Sequence, residues 1–156
     1  MIVVPDVRLA RPGDAKSIAQ LSRDSIEQGL PWRWTPARVL GAIGSKCANV
    51  AVVSENGGLL AFGIMEYGDE TSHLVLLGVQ PSRRRRGLGR AVVLWLETCA
   101  HTAGIGLIRL EVRADNPTAI AFYESLGYRF ASRISGYYSG MIDAIRLEKR
   151  LWDVNI

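Results

Sequence analysis

Five arginines fall within eight positions, Arg83, Arg84, Arg85, Arg86 and Arg90, and Gly87 and Gly89 interrupt them. Arginine presents a planar fork of donors that suits phosphate oxygens. Glycine takes backbone angles closed to other residues, so several N–H groups can turn toward one point. If a helix begins here, its first N–H groups lack partners and its dipole places positive charge at the same spot. The chemistry so described is the binding of a small polyanion such as a diphosphate. Net charge is +4, from 19 basic and 15 acidic side chains, and outside this loop 14 basic residues face 15 acidic ones. Basicity is therefore one focus on a nearly neutral chain. A nucleic-acid surface, the non-enzymatic alternative, calls for a broader basic face with interleaved aromatics.

Other chemistries are poorly represented. Cys47 and Cys99 stand in no metal-ligand spacing and read as two buried small hydrophobes. His73 and His101 form no credible zinc set, so no metal is expected. There is no Gly-x-Ser-x-Gly elbow for a serine nucleophile. Gly-x-Gly-x-x-Gly fails because Val92 occupies the third glycine position, and the Lys-Ser/Thr ending of the Walker loop is missing. What remains is Arg-x-x-Gly-x-Gly from Arg84 to Gly89.

A strand and a helix must hold that loop. Ser72–Val79 reads as the strand, and Gly87–Thr102 as the helix, with Leu88, Val92, Trp95, Leu96 and Cys99 on one stripe. Before them, Val7–Leu9 is a short strand, and Pro12-Gly13-Asp14 opens a helix through Ile18, Leu21 and Ile26. Pro36–Gly44 is a second helix. Strands 49–54 and 59–67 flank an Asn56-Gly57 hairpin turn. After the long helix come strand 107–113 and a helix capped by Asn116 and Pro117 and ended by Gly127. Strands 128–135 and 142–149 close the chain. Hairpins and crossovers mixed in this way predict an α/β (α+β) fold, one mixed twisted sheet of about seven strands flanked by about four helices. The 156 residues and 48% apolar content suit a single domain over 1–156. No apolar run approaches the roughly 18 residues that cross a bilayer. The N-terminus has no basic segment followed by a long apolar one, so a cytoplasmic, non-membrane protein is expected.

The loop resembles the acyl-CoA-binding motif of the GNAT superfamily (Gcn5-related N-acetyltransferases), and the order of elements is similar to that fold. The resemblance implies that N–H groups of Arg85, Arg86, Gly87, Leu88, Gly89 and Arg90 cradle the CoA pyrophosphate. Arg84 stands where many relatives carry Gln. Leu77, Gly78 and Val79 would line the pantetheine arm at a bulge of the fourth strand. Leu110-Glu111-Val112-Arg113 and Asn116, followed by Tyr123-Glu124-Ser125-Leu126-Gly127, resemble the ribosomal-protein-alanine acetyltransferase subgroup. There the strand glutamate is general base, the helix tyrosine general acid, and the asparagine contacts CoA, which implies these roles for Glu111, Tyr123 and Asn116.

Without the resemblance, Glu111 reads equally as a surface carboxylate between Arg109 and Arg113, and Tyr123 as a packing residue. The resemblance further implies that Trp32 and Trp34, and Tyr137 and Tyr138, border the acceptor amine. The tryptophans could instead anchor a loop. The expected activity is acetyl transfer from acetyl-CoA to a protein or peptide N-terminal amine, with a small amine (polyamine, amino acid or aminoglycoside-like) as the alternative acceptor. A monomer and a homodimer are both compatible with the sequence.

Overall fold

The computed structural model describes residues 5–84 and 87–152. The elements run β1 (Arg8–Leu9), α1 (Ala15–Leu21), α2 (Pro36–Ile43), β2 (Ala48–Glu55), β3 (Gly58–Tyr67), β4 (Thr71–Val79), α3 (Leu88–Thr102), β5 (Leu107–Arg113), α4 (Pro117–Ser125), β6 (Arg129–Tyr138) and β7 (Ile142–Arg150). α1 continues into one π-helical turn, Ser22–Ile26. The seven strands form one sheet in the order β1-β2-β3-β4-β5-β7-β6. Only β4 and β5 are parallel, and the remaining neighbours are antiparallel.

Alternation along the strands feeds two cores, one on each sheet face. In β2, Ala51 and Val53 join α3 in one core, whereas Val50 and Val52 join Ile18, Val39 and Trp34 in the other. α3 lies close on the sheet because β3 offers Gly63, where an added Cβ would sit 2.7 Å from Val92 and 2.9 Å from Leu96. Behind α3, the buried Glu97 carboxylate accepts from Tyr128 Oη and from Lys149 Nζ, both at 2.9 Å. A buried carboxylate needs such partners.

Two features of β4 shape the rest. Ile64 pairs with Leu76 and Met65 with Leu74, which leaves Val75 as an extra, bulged residue. An insertion reverses the facing of every later residue in the strand. Leu74 accordingly packs in the α3 core and Leu76 in the α1–α2 core. Second, β4 and β5 pair only from Thr71–Leu74 to Leu107–Leu110. Beyond that they diverge, while β5 stays paired with β7 through Arg113.

Two sequence expectations need correction. β6 runs on to Tyr138, with an irregular register after Ile134, so Tyr137 and Tyr138 belong to a strand and not to a loop beyond Ser135. Cys47 is exposed in the turn before β2, where its backbone bonds both ways: its N–H donates to Ser45 Oγ and its carbonyl accepts from Tyr67 N. No helix among the described residues is long and apolar enough to cross a membrane.

Candidate active site

The divergence of β4 from β5 opens a cleft of about 1240 Å³. Its floor is β4 and β5. One end lies at the turn before α3 and the start of α4, the other between the α1–α2 connection and the end of β6.

At the first end Gly87 caps α3 with φ +76°, a left-handed angle that disfavours any residue with a Cβ. Ala91 N–H is the first to find a helical carbonyl, that of Gly87. Among the described residues, the N–H groups of Leu88, Gly89 and Arg90 are thus the unpaired donors of a helix terminus. A Cβ at Gly89 would approach Phe122 to 3.3 Å and Val79 to 3.4 Å. Glycine therefore lets α3 begin tight against β4 and α4. Arg84 and Arg90 line this end, as does Arg83, held 3.6 Å from Glu55. Arg85 and Arg86, which sequence placed in the same cradle, lie outside the described residues. Gly87→Val is expected to weaken CoA binding about tenfold or more by closing the left-handed turn. Calorimetric titration of CoA into the variant checks this; unchanged affinity would mean that the turn does not hold the ligand.

Leu77, Gly78 and Val79 line the middle of the cleft. The bulge expected at these residues instead inserts Val75, two positions earlier. Among the described residues, β4 has no strand partner on its β5 side from Val75 onward, so its backbone edge faces the cleft. Across from it Asn116 caps α4, its Oδ1 accepting from Ala119 N at 3.1 Å.

Glu111 and Tyr123 both line this cleft, brought there by β5 and α4. The Glu111 side chain is 3% exposed. Its partners are His73 at 2.6 Å, Arg146 Nε at 3.0 Å and Tyr137 Oη at 3.0 Å, the last two donating. Arg109 and Arg113, its neighbours in sequence, pair instead with Glu148 and Asp115. The surface ion pair expected from alternation is thus replaced by a buried cluster. Burial alone would raise the Glu111 carboxyl, but His73, with Arg146 and Tyr137, outweighs it and holds the group down at about 2. Such a carboxylate is charged at every physiological pH.

Tyr123 is buried at 7% exposure, edge-on to Phe122 and Tyr128. Burial, followed by the neighbouring Tyr138, pushes its phenol well above the ordinary tyrosine value, so it stays a protonated donor. Tyr138 is raised likewise, by burial and then by Tyr137 and Glu111. Three phenols thus lead along the wall toward one carboxylate.

The α1–α2 connection is built around Glu27. This buried carboxylate accepts from Ser22 Oγ at 2.8 Å, Arg33 N at 2.7 Å and Trp34 N at 3.1 Å. Two contacts tie the connection across the cleft: Arg33 Nη2 to Ser139 Oγ at 3.3 Å, and Arg113 Nη1 to the Gln28 carbonyl at 2.8 Å. Trp34 lines the cleft, under the Arg38 guanidinium at 3.9 Å. Trp32 is absent from the cleft wall, stacks 5.0 Å from Arg23, and corrects the expectation of two bordering tryptophans.

His73, Arg146 and Glu27 are what sequence reasoning missed. His73 and Glu111 are 38 positions apart, and only the parallel β4–β5 register joins them. Among the described residues no three His, Cys, Asp or Glu gather as a metal set.

Comparison with known proteins gives a consistent answer. The model of the Acetyltransferase (GNAT) family matches residues 18–128. The ribosomal protein bS18-alanine N-acetyltransferase of Escherichia coli (strain K12) is 38% identical over 96 residues, 60% of this chain. The match spans 65% of that relative's own length. The crystal structure of the ribosomal-protein-S18-alanine N-acetyltransferase from Escherichia coli superposes with a TM-score of 0.80 at 26% identity, covering 97% of each chain. The structure of yncA from Salmonella typhimurium, solved with its cofactor acetyl-CoA, shares the fold at TM-score 0.81 and 17% identity, covering 99% of this chain and 98% of that one.

Proposed function

The chain belongs to the acetyltransferase (GNAT) family, and from that premise we propose that it transfers an acetyl group from acetyl-CoA to the N-terminal amine of a peptide or protein. The observation that carries this reading is the cleft itself. Unpaired helix N–H donors and arginines sit at one end, and a buried carboxylate and a buried phenol lie further along. The relative's name specifies a protein alanine as acceptor, which supports a peptide here.

The described residues fit acetyl-CoA. The N–H groups of Leu88 to Arg90, with Arg84 and Arg90, would hold its pyrophosphate. The free edge of β4 from Val75 to Val79 would offer hydrogen bonds to the amide-bearing arm, and Asn116 keeps its side-chain amide N–H groups for the same molecule. When bound, the donor supplies an activated thioester. Everything else falls to the chain.

An amine reaches the cleft mostly as ammonium and must lose a proton before it attacks. The Glu111 carboxylate attracts and orients that ammonium. Held at about 2, it keeps almost no proton itself at neutral pH. His73, hydrogen-bonded to it and 37% exposed, is the imidazole through which the proton can pass to solvent. On the far side the Tyr123 hydroxyl donates to the departing sulfur. Holding the two reactants side by side supplies much of the remaining acceleration.

Two measurements test the reading together. Micromolar acetyl-CoA is expected to raise the thermal midpoint. Mass spectrometry is then expected to find one acetyl group on the α-amine of a small-residue peptide. Saturable transfer to small amines alone would move the chain to the alternative acceptor class, and no stabilisation by acetyl-CoA would end the enzymatic reading.

A further inference from the structure

We propose that the preferred peptide carries an acidic residue immediately after the acetylated one, and that Arg33 and Arg38 receive its carboxylate. This rests on the peptide reading above and adds the identity of the second residue. The charges of the acceptor end are nearly all spoken for. Glu27 is occupied by the Arg33 and Trp34 N–H groups and by Ser22, Glu111 by its cluster, and Arg113 by Asp115 and the Gln28 carbonyl.

Among the basic groups of this end, Arg33 and Arg38 are the exception. Both line the cleft, both are exposed, and among the described residues neither meets a carboxylate. Arg38 is flattened on Trp34, which fixes its plane and leaves its edge donors free. Arg33 touches only the Ser139 hydroxyl and has further donors in its fork.

Their position fits the residue after the amine. Arg33 reaches Ser139, while Tyr137, two residues earlier, donates to Glu111. Ser139 lies in the turn that ends β6, at φ +56°, so one short stretch of chain links the Glu111 cluster to Arg33, and the residue after the amine would lie along it. On the floor, Glu66 lies directly across from His73 in the β3–β4 register and also lines the cleft. Acids on the floor and guanidinium groups on the wall match a positive N-terminus followed by a negative side chain. A lysine or arginine in that second place would meet two uncompensated like charges.

The test compares kcat/KM, with saturating acetyl-CoA, for matched peptides beginning Ala-Glu, Ala-Gln and Ala-Lys. The wild-type enzyme is expected to favour Ala-Glu over Ala-Lys by about tenfold or more, a margin that shrinks as salt is added. In the double variant Arg33→Glu, Arg38→Glu the order is expected to reverse, with Ala-Lys gaining. A gain of this kind cannot come from a damaged fold. Equal rates, a lysine preference, or an acidic preference untouched in the variant would overturn the proposal while peptide acetylation stands. Transfer to none of the three peptides would overturn both readings at once.

Discussion

Glu111→Gln is expected to lower kcat by about a hundredfold or more while CoA affinity stays within about twofold. The amide keeps the size of the side chain and an oxygen to accept from Tyr137 and Arg146, so the cluster retains its shape. What disappears is the negative charge that gathers the ammonium and leans on His73. Steady-state kinetics with calorimetry of CoA binding separates the two effects, and a variant turning over at the wild-type rate would remove Glu111 from the reaction. Because its folded value lies below the ordinary 4.5, at about 2, the stability it contributes is complete above 4.5 and is lost only as pH falls toward 2. Any acid limb in kcat/KM between pH 5 and 7 therefore belongs to another group. His73→Gln removes its strongest partner, so burial is expected to raise the carboxyl, with Arg146 and Tyr137 still opposing the rise.

Tyr123→Phe is the second large effect, a fall in kcat of about a hundredfold with KM and thermal midpoint almost unchanged. The phenyl ring keeps its edge contacts with Phe122 and Tyr128, and the hydroxyl is raised by burial and Tyr138 without any hydrogen bond taking part. A hydroxyl with no structural duty can be deleted at little cost to folding, so the loss would fall on donation to the leaving sulfur. A mutant that melts early and binds CoA poorly would instead mark the ring as packing.

The order of elements was legible because each carries a strong local signal. Thr35-Pro36 and Asn116-Pro117 start helices, Asn56-Gly57 closes a hairpin, and the Leu88–Cys99 stripe needs one apolar partner. Less was available for the last strands. Gly136, at φ +62°, reads as a stop, yet β6 absorbs it in an irregular stretch and continues.

The candidate site divides in the same way. Residues close in sequence, Gly87 to Arg90 and Asn116 with Tyr123, could be singled out and do line one cleft. The environment of Glu111 could not, because His73, Arg146 and Tyr137 come from three other strands and meet it only through sheet register. Local alternation favoured Arg109 and Arg113, but strand pairing hands Arg109 to Glu148, and the turn after β5 hands Arg113 to Asp115. Trp32 and Trp34 differ by two positions and look interchangeable in sequence. Glu27 binds the backbone at Arg33 and Trp34, and that turn sends one ring to the cleft and the other away from it.

The parallel seam joins the two parts of the sheet by four residue pairs, against seven in each of the ladders beside it. Ladder length sets how strongly a seam resists opening, so the middle of the sheet yields more easily along the line where its ligand would lie than at the seams on either side. A molecule bonded to the bare edge of one part and packed on the other acts as a splint. Stiffness would then be a property lent by the substrate, greatest while the reaction is under way and given up when the product leaves.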